Sequence, residues 1–349
     1  MKAETLALAV HYGEPIARRS LRGGVFARMP LPGAVFSEVD FAAADFRHAD
    51  LREAVFDGCD LASANFQQAD LRGATFHRCK GADLLFDQAN LHKASVLECQ
   101  WPGLRATGAT LSLATLQGSQ LPGADLRQAR LDGTNWIDCE LGGASLEGAE
   151  LRYGVFSGCG VAGVAWRAAA FHRVVLRGLD LAGRDFAGLR FEQCQFSACR
   201  LGGASFEGAQ LAGCNFQEAL LDEACFVQVR APQALFPNAA GSGARFTGAV
   251  LTQAVFAGAK LPKADFAGAQ LEQAFFGQAV LAGSRFAGAQ LGYADFSQAD
   301  LGGCDFEGAA MFRTRLHRAR RDDARLPDDA QALGDDAELA AAEQWRPAA

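Results

Sequence analysis

No run of 18 consecutive apolar residues occurs in this chain, so no membrane span is expected. The N-terminus, Met1-Lys2-Ala3-Glu4-Thr5, lacks a basic segment followed by an apolar one. It therefore reads as having no secretory leader, which predicts a cytoplasmic location. Histidine is sparse: His11, His48, His77, His92, His172 and His317 are scattered, and most follow a large apolar residue at outward positions. No Ser-His-Asp arrangement, HExxH, P-loop or dinucleotide-binding glycine motif is in a suitable context. Catalysis needs convergent polar groups in a concavity, so the chain is read as a non-enzyme without catalytic residues or cofactors. None of the ten cysteines forms a CxxC pair, and the nearest two are Cys194 and Cys199. Metal and redox roles are disfavoured on that ground. Basic residues form no stripe, which argues against direct nucleic-acid binding.

What the chain does have is a period of five. From Leu21 to Leu316, 60 positions lie five residues apart, and 50 of them are Leu (26) or Phe (24). Two residues before this centre, 43 positions are Ala (34) or Cys (9). The residue just before it is often Asp or Asn, and the two after it are mostly Gly, Ala, Gln, Arg, Ser or Glu. Period five fits neither a helix nor a flat strand. It fits a coil in which each unit makes one side and turns a corner, with two positions inward and three outward. The 349 residues would otherwise suggest two or three domains, but a short repeat means stacked architecture instead.

Phe and Leu centres alternate, as at Phe46, Leu51, Phe56, Leu61 and Phe66, which calls for an even number of units per turn. Cys59, Cys79, Cys99, Cys139, Cys159 and Cys199 differ by multiples of 20, which selects four units per turn and stacks them in one column. Nine cysteines hold the small inward position and Cys225 does not; they read as buried fillers. Stacked neighbours point the same way, which suits a disulfide poorly.

The segments "ANFQQADLRGATF", "ADFAGAQLEQAFF" and "ADFSQADLGGCDF" resemble the pentapeptide-repeat family, whose motif is A(D/N)Lxx. The resemblance covers about residues 16–316. It implies an all-β fold: a right-handed quadrilateral parallel β-helix, a solenoid of about 15 coils with short helical ends. At roughly 4.8 Å per stacked strand such a rod is about 70 Å long.

Three segments follow. Residues 1–15 form an N-terminal helical cap, helical from Ala3 to Tyr12 and stopped by Gly13 and Pro15. Residues 16–316 form the β-helix, and 317–349 a C-terminal helical and flexible tail. Asp335 and Asp336 can cap a helix over about 337–345. This tail is either a cap with a frayed end or an oligomerisation or docking segment anchored by Trp345. The opening, with "LRGGVF", resembles bacterial pentapeptide proteins found beside type VI secretion genes, which implies an accessory role in secretion. Four centres are broken: Gly81, Ala106, Ala231 and Gly241. Because the register resumes in multiples of five, the irregular stretches 80–106 and 228–243 are expected to be dents rather than insertions. A bend or wider coil is expected over 154–194, where Val164, Val174, Leu179, Arg184 and Leu189 replace the small residue. Arg184 is expected to turn outward rather than be buried unpaired.

The leading functional expectation is a non-catalytic scaffold for a protein partner. One outward column, taken every 20 residues, reads Val35, Val55, Thr75, Ser95, Thr115, Asn135, Val155, Val175, Gln195, Asn215, Leu235, Val255, Phe275. Exposed β-branched and apolar residues there mark a candidate interaction stripe, either a homodimer seam or a partner site. Ordinary β-propensity on a flat sheet is the competing explanation. A second candidate is an acidic face at Asp40, Asp45, Asp50, Asp60 and Asp70. The family resemblance implies that such a face could mimic DNA and inhibit or protect gyrase or topoisomerase. Charge argues against it. Residues 317–349 hold eight acids and five bases, which leaves −4 of the chain's −7 for residues 1–316. Duplex DNA carries one charge per roughly 1.7 Å, about 40 over the expected length.

Overall fold

The computed structural model describes residues 3–328 and 330–345. Met1 and Lys2, where the leader was sought, and the end of the tail past Trp345, expected to fray, lie outside the described residues. The chain divides into two compact units, Met1–Asp180 and Leu181–Ala349, each a parallel β-solenoid.

The first unit opens with α1 (Ala3–His11), which carries Glu4 in its first turn, where a carboxylate favours the helix dipole. Gly13 ends it with φ +71°, a left-handed conformation that glycine adopts without penalty. Leu6 is completely buried. Strands then recur every 20 residues: β1 (Ile16–Ala17), β2 (Val35–Ser37), β3 (Val55–Asp57), β4 (Thr75–His77), β5 (Ser95–Leu97), β6 (Thr115–Gln117) and β7 (Asn135–Ile137). On an adjoining side β8 (Glu150–Arg152) pairs in parallel with β10 (Ala170–His172), while β9 (Val155–Ser157) and β11 (Val175–Arg177) continue the first ladder. The resulting sheet has the order β1-β2-β3-β4-β5-β6-β7-β9-β11, and its registers join residues 20 apart, such as Phe36 to Phe56 and Phe56 to Phe76.

Regular strands thus mark about nine turns, not the fifteen coils obtained by dividing the repeats by four. In the second unit β12 (Arg190–Glu192) is the one strand among the described residues. Elsewhere in that unit the rungs are isolated parallel bridges, such as Leu235 with Val255 and Arg245 with Asp265. Repeat counting assigns a coil to every four units, but it carries no information about whether a side pairs as an extended strand or touches at one residue.

Each unit of five has a physical division of labour. The centre is buried and its N–H donates to the carbonyl one coil on, as Phe46 N does to Asn65 O at 2.7 Å. Asp or Asn before the centre bonds the backbone two residues on: Asp45 Oδ1 accepts from Arg47 N at 3.0 Å and Asn65 Oδ1 from Gln67 N at 3.0 Å. This is an Asx-turn closing the corner. Two residues after the centre the backbone turns left-handed, at Gly58 (φ +62°) and equally at Gln68 (φ +59°).

Phe rings stack along the axis. In the second unit Phe226, Phe246, Phe266, Phe286 and Phe306 are parallel at 4.7–4.9 Å, and they meet the neighbouring Phe column edge-on at about 5.7 Å. Burying each such ring is worth on the order of 1.5–3 kcal/mol. All ten cysteines are buried and outside any disulfide. Cys59, Cys79 and Cys139 each donate S–H to a carbonyl 23 residues earlier, at 3.6, 3.3 and 3.3 Å. Ser119 fills the gap in this column with the same bond, to Val96 O at 3.2 Å.

The broken centres are dents, with pairing continuous through them: Lys80 bridges Gln100, and Ala240 bridges Lys260. At Gly81 the missing side chain is replaced by Leu84, whose Cδ1 lies 2.9 Å from where a Gly81 β-carbon would be. Trp101, one coil on, packs against Phe76 and Phe86 at 5.2 and 5.5 Å. At Gly241 the backbone itself closes in, 2.4 Å from the same hypothetical atom. Within 154–180 the larger corner residues Val164, Val174 and Leu179 are all buried. Arg184 departs from expectation: it is half-buried, and its Nε is buried without a hydrogen-bond partner. The position belongs to the inward set, so the aliphatic stem follows the core and carries the first nitrogen with it.

The second unit's last coil is covered by its own tail. Leu333 exchanges backbone bonds with Thr314 and Leu316 at 2.7 and 2.8 Å, and Arg313 N donates to Gln331 O at 2.9 Å. This occupies a strand edge that would otherwise invite pairing. Helix α2 (Ala337–Gln344) follows, with Asp336 accepting from Leu339 N. Arg318 fastens it through Glu343 at 2.6 Å. Trp345 is 74% exposed.

Candidate interaction surface

The two parts of the outward stripe differ. In the first unit Val35, Val55, Val155 and Val175 each begin a strand of the nine-stranded ladder. Val35 is exposed and the other three are half-buried. Their chemistry matches what a pleated, half-exposed surface selects, so β-propensity accounts for them there.

In the second unit Leu235, Val255 and Phe275 occupy the same column where no regular strand forms, joined only by single bridges. Leu235 and Phe275 are 36% and 41% exposed. The Phe275 ring lies along the surface over Gly277, and a shallow recess of about 340 Å³ surrounds it. Asn238, Gln278, Ser297 and Gln298 edge the recess, and Gln278 Nε2 donates to Gln298 Oε1 at 3.3 Å. Next in the column comes Asp295, bridged to Phe275 and held by Arg315 at 3.0 Å. Exposed Tyr293, Phe312 and Leu333 lie alongside. Sequence reasoning took the column but missed these flanking residues, of which Tyr293 and Phe312 stand at corner positions and Leu333 in the tail. Aromatic residues at corners otherwise rich in Gly, Gln and Glu were the available signal.

The acidic residues are distributed over three sides. Asp40 bridges Asp60, Asp45 bridges Asn65, and Asp50 bridges Asp70. Four of the five carry an arginine. Arg47, Arg52 and Arg72 grip Asp45, Asp50 and Asp70 through two bonds each, at 2.6–2.9 Å. Arg22 reaches Asp40 at 3.2 Å. These guanidinium bonds hold the carboxyls of Asp45, Asp50 and Asp70 below the ordinary carboxylate range, while the Ala42 backbone N–H is the main cause for Asp40. Among the described residues the Asp60 carboxylate bonds only the Ala62 N–H, at 3.0 Å.

Among the described residues no group of three or more His, Cys, Asp or Glu side chains is placed to hold a metal ion. No described helix is long and apolar enough to cross a membrane.

A pentapeptide-repeat family model, with eight copies, matches residues 26–58, 40–78, 59–100, 123–159, 190–228, 199–236, 242–278, 263–292 and 289–320. These segments span more than half of the sequence, and the chain belongs to the pentapeptide-repeat family. Comparison with curated proteins finds no match. Among solved structures the chain is similar to HetL, a pentapeptide repeat protein involved in heterocyst differentiation regulation in the cyanobacterium Nostoc sp. The identity is 26%, over 70% of this chain and 92% of that one, with a TM-score of 0.26. It is also similar to QnrB1, a plasmid-mediated fluoroquinolone resistance protein, at 16% identity over 72% and 97% of the two chains, with a TM-score of 0.22. A pentapeptide repeat protein of the Arabidopsis thaliana thylakoid lumen matches at 25% identity over 44% and 72%, with a TM-score of 0.15.

Proposed function

We propose that this protein is a non-catalytic scaffold for protein–protein interaction, and that the Leu235–Val255–Phe275 side of the second unit is its contact surface. The observation that carries this is Phe275, an exposed ring seated over a glycine on a side that forms no strand. Exposed aromatic and aliphatic groups in a line are costly to hydrate and are the anchors of protein interfaces. The partner is a protein, either a second copy of the chain or another polypeptide, met in the cytoplasm. Secretion-accessory duty rests on the N-terminal resemblance alone. DNA mimicry toward gyrase or topoisomerase is not favoured, because the acidic residues point to three sides and most are neutralised by arginine.

The test compares the native chain with Leu235→Asp and Phe275→Asp. Self-association is read by light scattering, and partner capture is performed from the native host. The substitutions are expected to abolish one of the two while circular dichroism stays unchanged. If both persist, this side is not the contact surface.

A further inference from the structure

At the end of the same side, Tyr293 and Phe312 are 53% and 50% exposed and meet edge to face at 5.5 Å. Beside them is a recess of about 350 Å³ lined by Tyr293, Asp295, Arg313, Arg315 and Leu333. Its two arginines differ. Arg315 is spoken for by Asp295. Arg313 has its backbone N–H satisfied by Gln331 O, but its guanidinium has no ion pair or hydrogen bond among the described residues.

Two other arginines at this left-handed corner find a carboxylate one coil on: Arg18 meets Glu38 at 3.0 Å and Arg78 meets Glu98 at 3.1 Å. Arg313 has Tyr293 one coil before it and the Gln331 backbone beyond it, and the carboxylate that lines the recess, Asp295, is held by Arg315. The recess thus holds one uncommitted planar cation beside the exposed Tyr293 ring, itself packed edge-on against Phe312, and an exposed leucine, in a chain of net charge −7. A guanidinium grips a carboxylate through two parallel hydrogen bonds, and rings with arginine are the composition of binding hot spots. A polyanion is a poor match, because the recess offers it a single free cation on a chain that repels it overall.

We infer that this recess receives an acidic segment of a partner protein: one carboxylate on Arg313, and an adjacent apolar side chain against Tyr293, Phe312 and Leu333. This rests on the interaction reading above and names the partner's chemistry.

The probe is a fluorescein-labelled peptide alternating glutamate pairs with leucine, titrated with the full chain and followed by anisotropy. A lysine-for-glutamate peptide and a labelled oligothymidylate are the comparators. Saturable binding of the acidic peptide is expected, weakened tenfold or more by Arg313→Gln and by Tyr293→Ala, and weakened by salt. Both positions are exposed, and circular dichroism checks that the variants fold. The inference is overturned if the acidic peptide fails to bind, if either comparator binds as tightly, or if Arg313→Gln leaves the affinity unchanged. If the peptide fails while Phe275→Asp still abolishes partner capture, the recess is wrong and the interaction reading stands.

Discussion

Phe275 lies so closely over Gly277 that a β-carbon on Gly277 would sit 2.3 Å from the ring's Cζ. The glycine is therefore what allows an aromatic ring to lie flat on the outside of the coil. Gly277→Ala should push the ring into solvent at a cost below about 1 kcal/mol, because the ring is already partly exposed and free to swing. Thermal melting should move little, while partner capture falls as it does in Phe275→Ala. In the native protein the Gly277 α-protons should resonate upfield under the ring, and Phe275→Leu should remove that shift. Ordinary shifts in the native spectrum would mean that the ring is not seated there.

Gly241 presents the opposite case, because its close neighbours are backbone. A β-carbon would lie 2.4 Å from the Leu221 carbonyl carbon and 2.5 Å from the Asp222 nitrogen. Backbone held in a ladder cannot swing away, so Gly241→Ala forces two coils apart and should destabilise by about 1–3 kcal/mol. Gly288 has open space but φ +66°, so Gly288→Ala should cost only about 1 kcal/mol of left-handed strain. Chemical denaturation of the two variants should rank them in that order. Equal losses would show that the dent at Gly241 is not a close backbone approach.

These positions show where the sequence was legible. The buried centre, the small residue before it and the four-sided turn follow from spacing alone, because packing on an axis enforces them at every step. The corner conformation was less legible. Left-handed backbone appears at Gly58, but also at Gln68, Glu98 and Tyr153, so no single residue type marks it. Neutralisation of the acidic residues was readable in retrospect as Asp-Leu-Arg or Asp-Phe-Arg, since Asp45 and Arg47 face outward side by side across one corner. The half-buried Arg184 was not readable: spacing gives the direction of its Cβ but not the path of a long side chain.

The Asp–Arg corner pairs predict an acid response. Guanidinium bonding lowers the folded-state carboxyls of Asp45, Asp50, Asp70 and Asp125, whereas in the unfolded chain they titrate near pH 3.9. A depressed folded value means that the stabilisation is complete above about pH 4 and is lost as pH falls below it. Both partners are partly solvated, so each pair contributes little. Replacing Arg47, Arg52, Arg72 and Arg127 by Gln should lower stability slightly at pH 7. The difference from the native chain should vanish near pH 2. Urea melts across pH 2–7 would measure it, and a constant difference across that range would refute the linkage.

Gly81 and Leu84 have exchanged roles. Gly81 stands where the repeat places a large residue and Leu84 where it places a small one, and Leu84 is completely buried with its Cδ1 in the space a Gly81 side chain would claim. Leu84→Ala alone should therefore open a cavity and cost about 2–5 kcal/mol. Gly81→Leu alone should overpack the same space and cost about 1–3 kcal/mol. The double substitution restores the usual order of large centre and small corner, so it should be far less destabilised than the sum of the singles, a coupling of 1 kcal/mol or more. Trp101, packed on Phe76 and Phe86 one coil away, offers a fluorescence reporter of whether the core closes again. Additive losses in the double variant would show that Leu84 does not fill the Gly81 site, and the continuity of the core through this dent would then need another source.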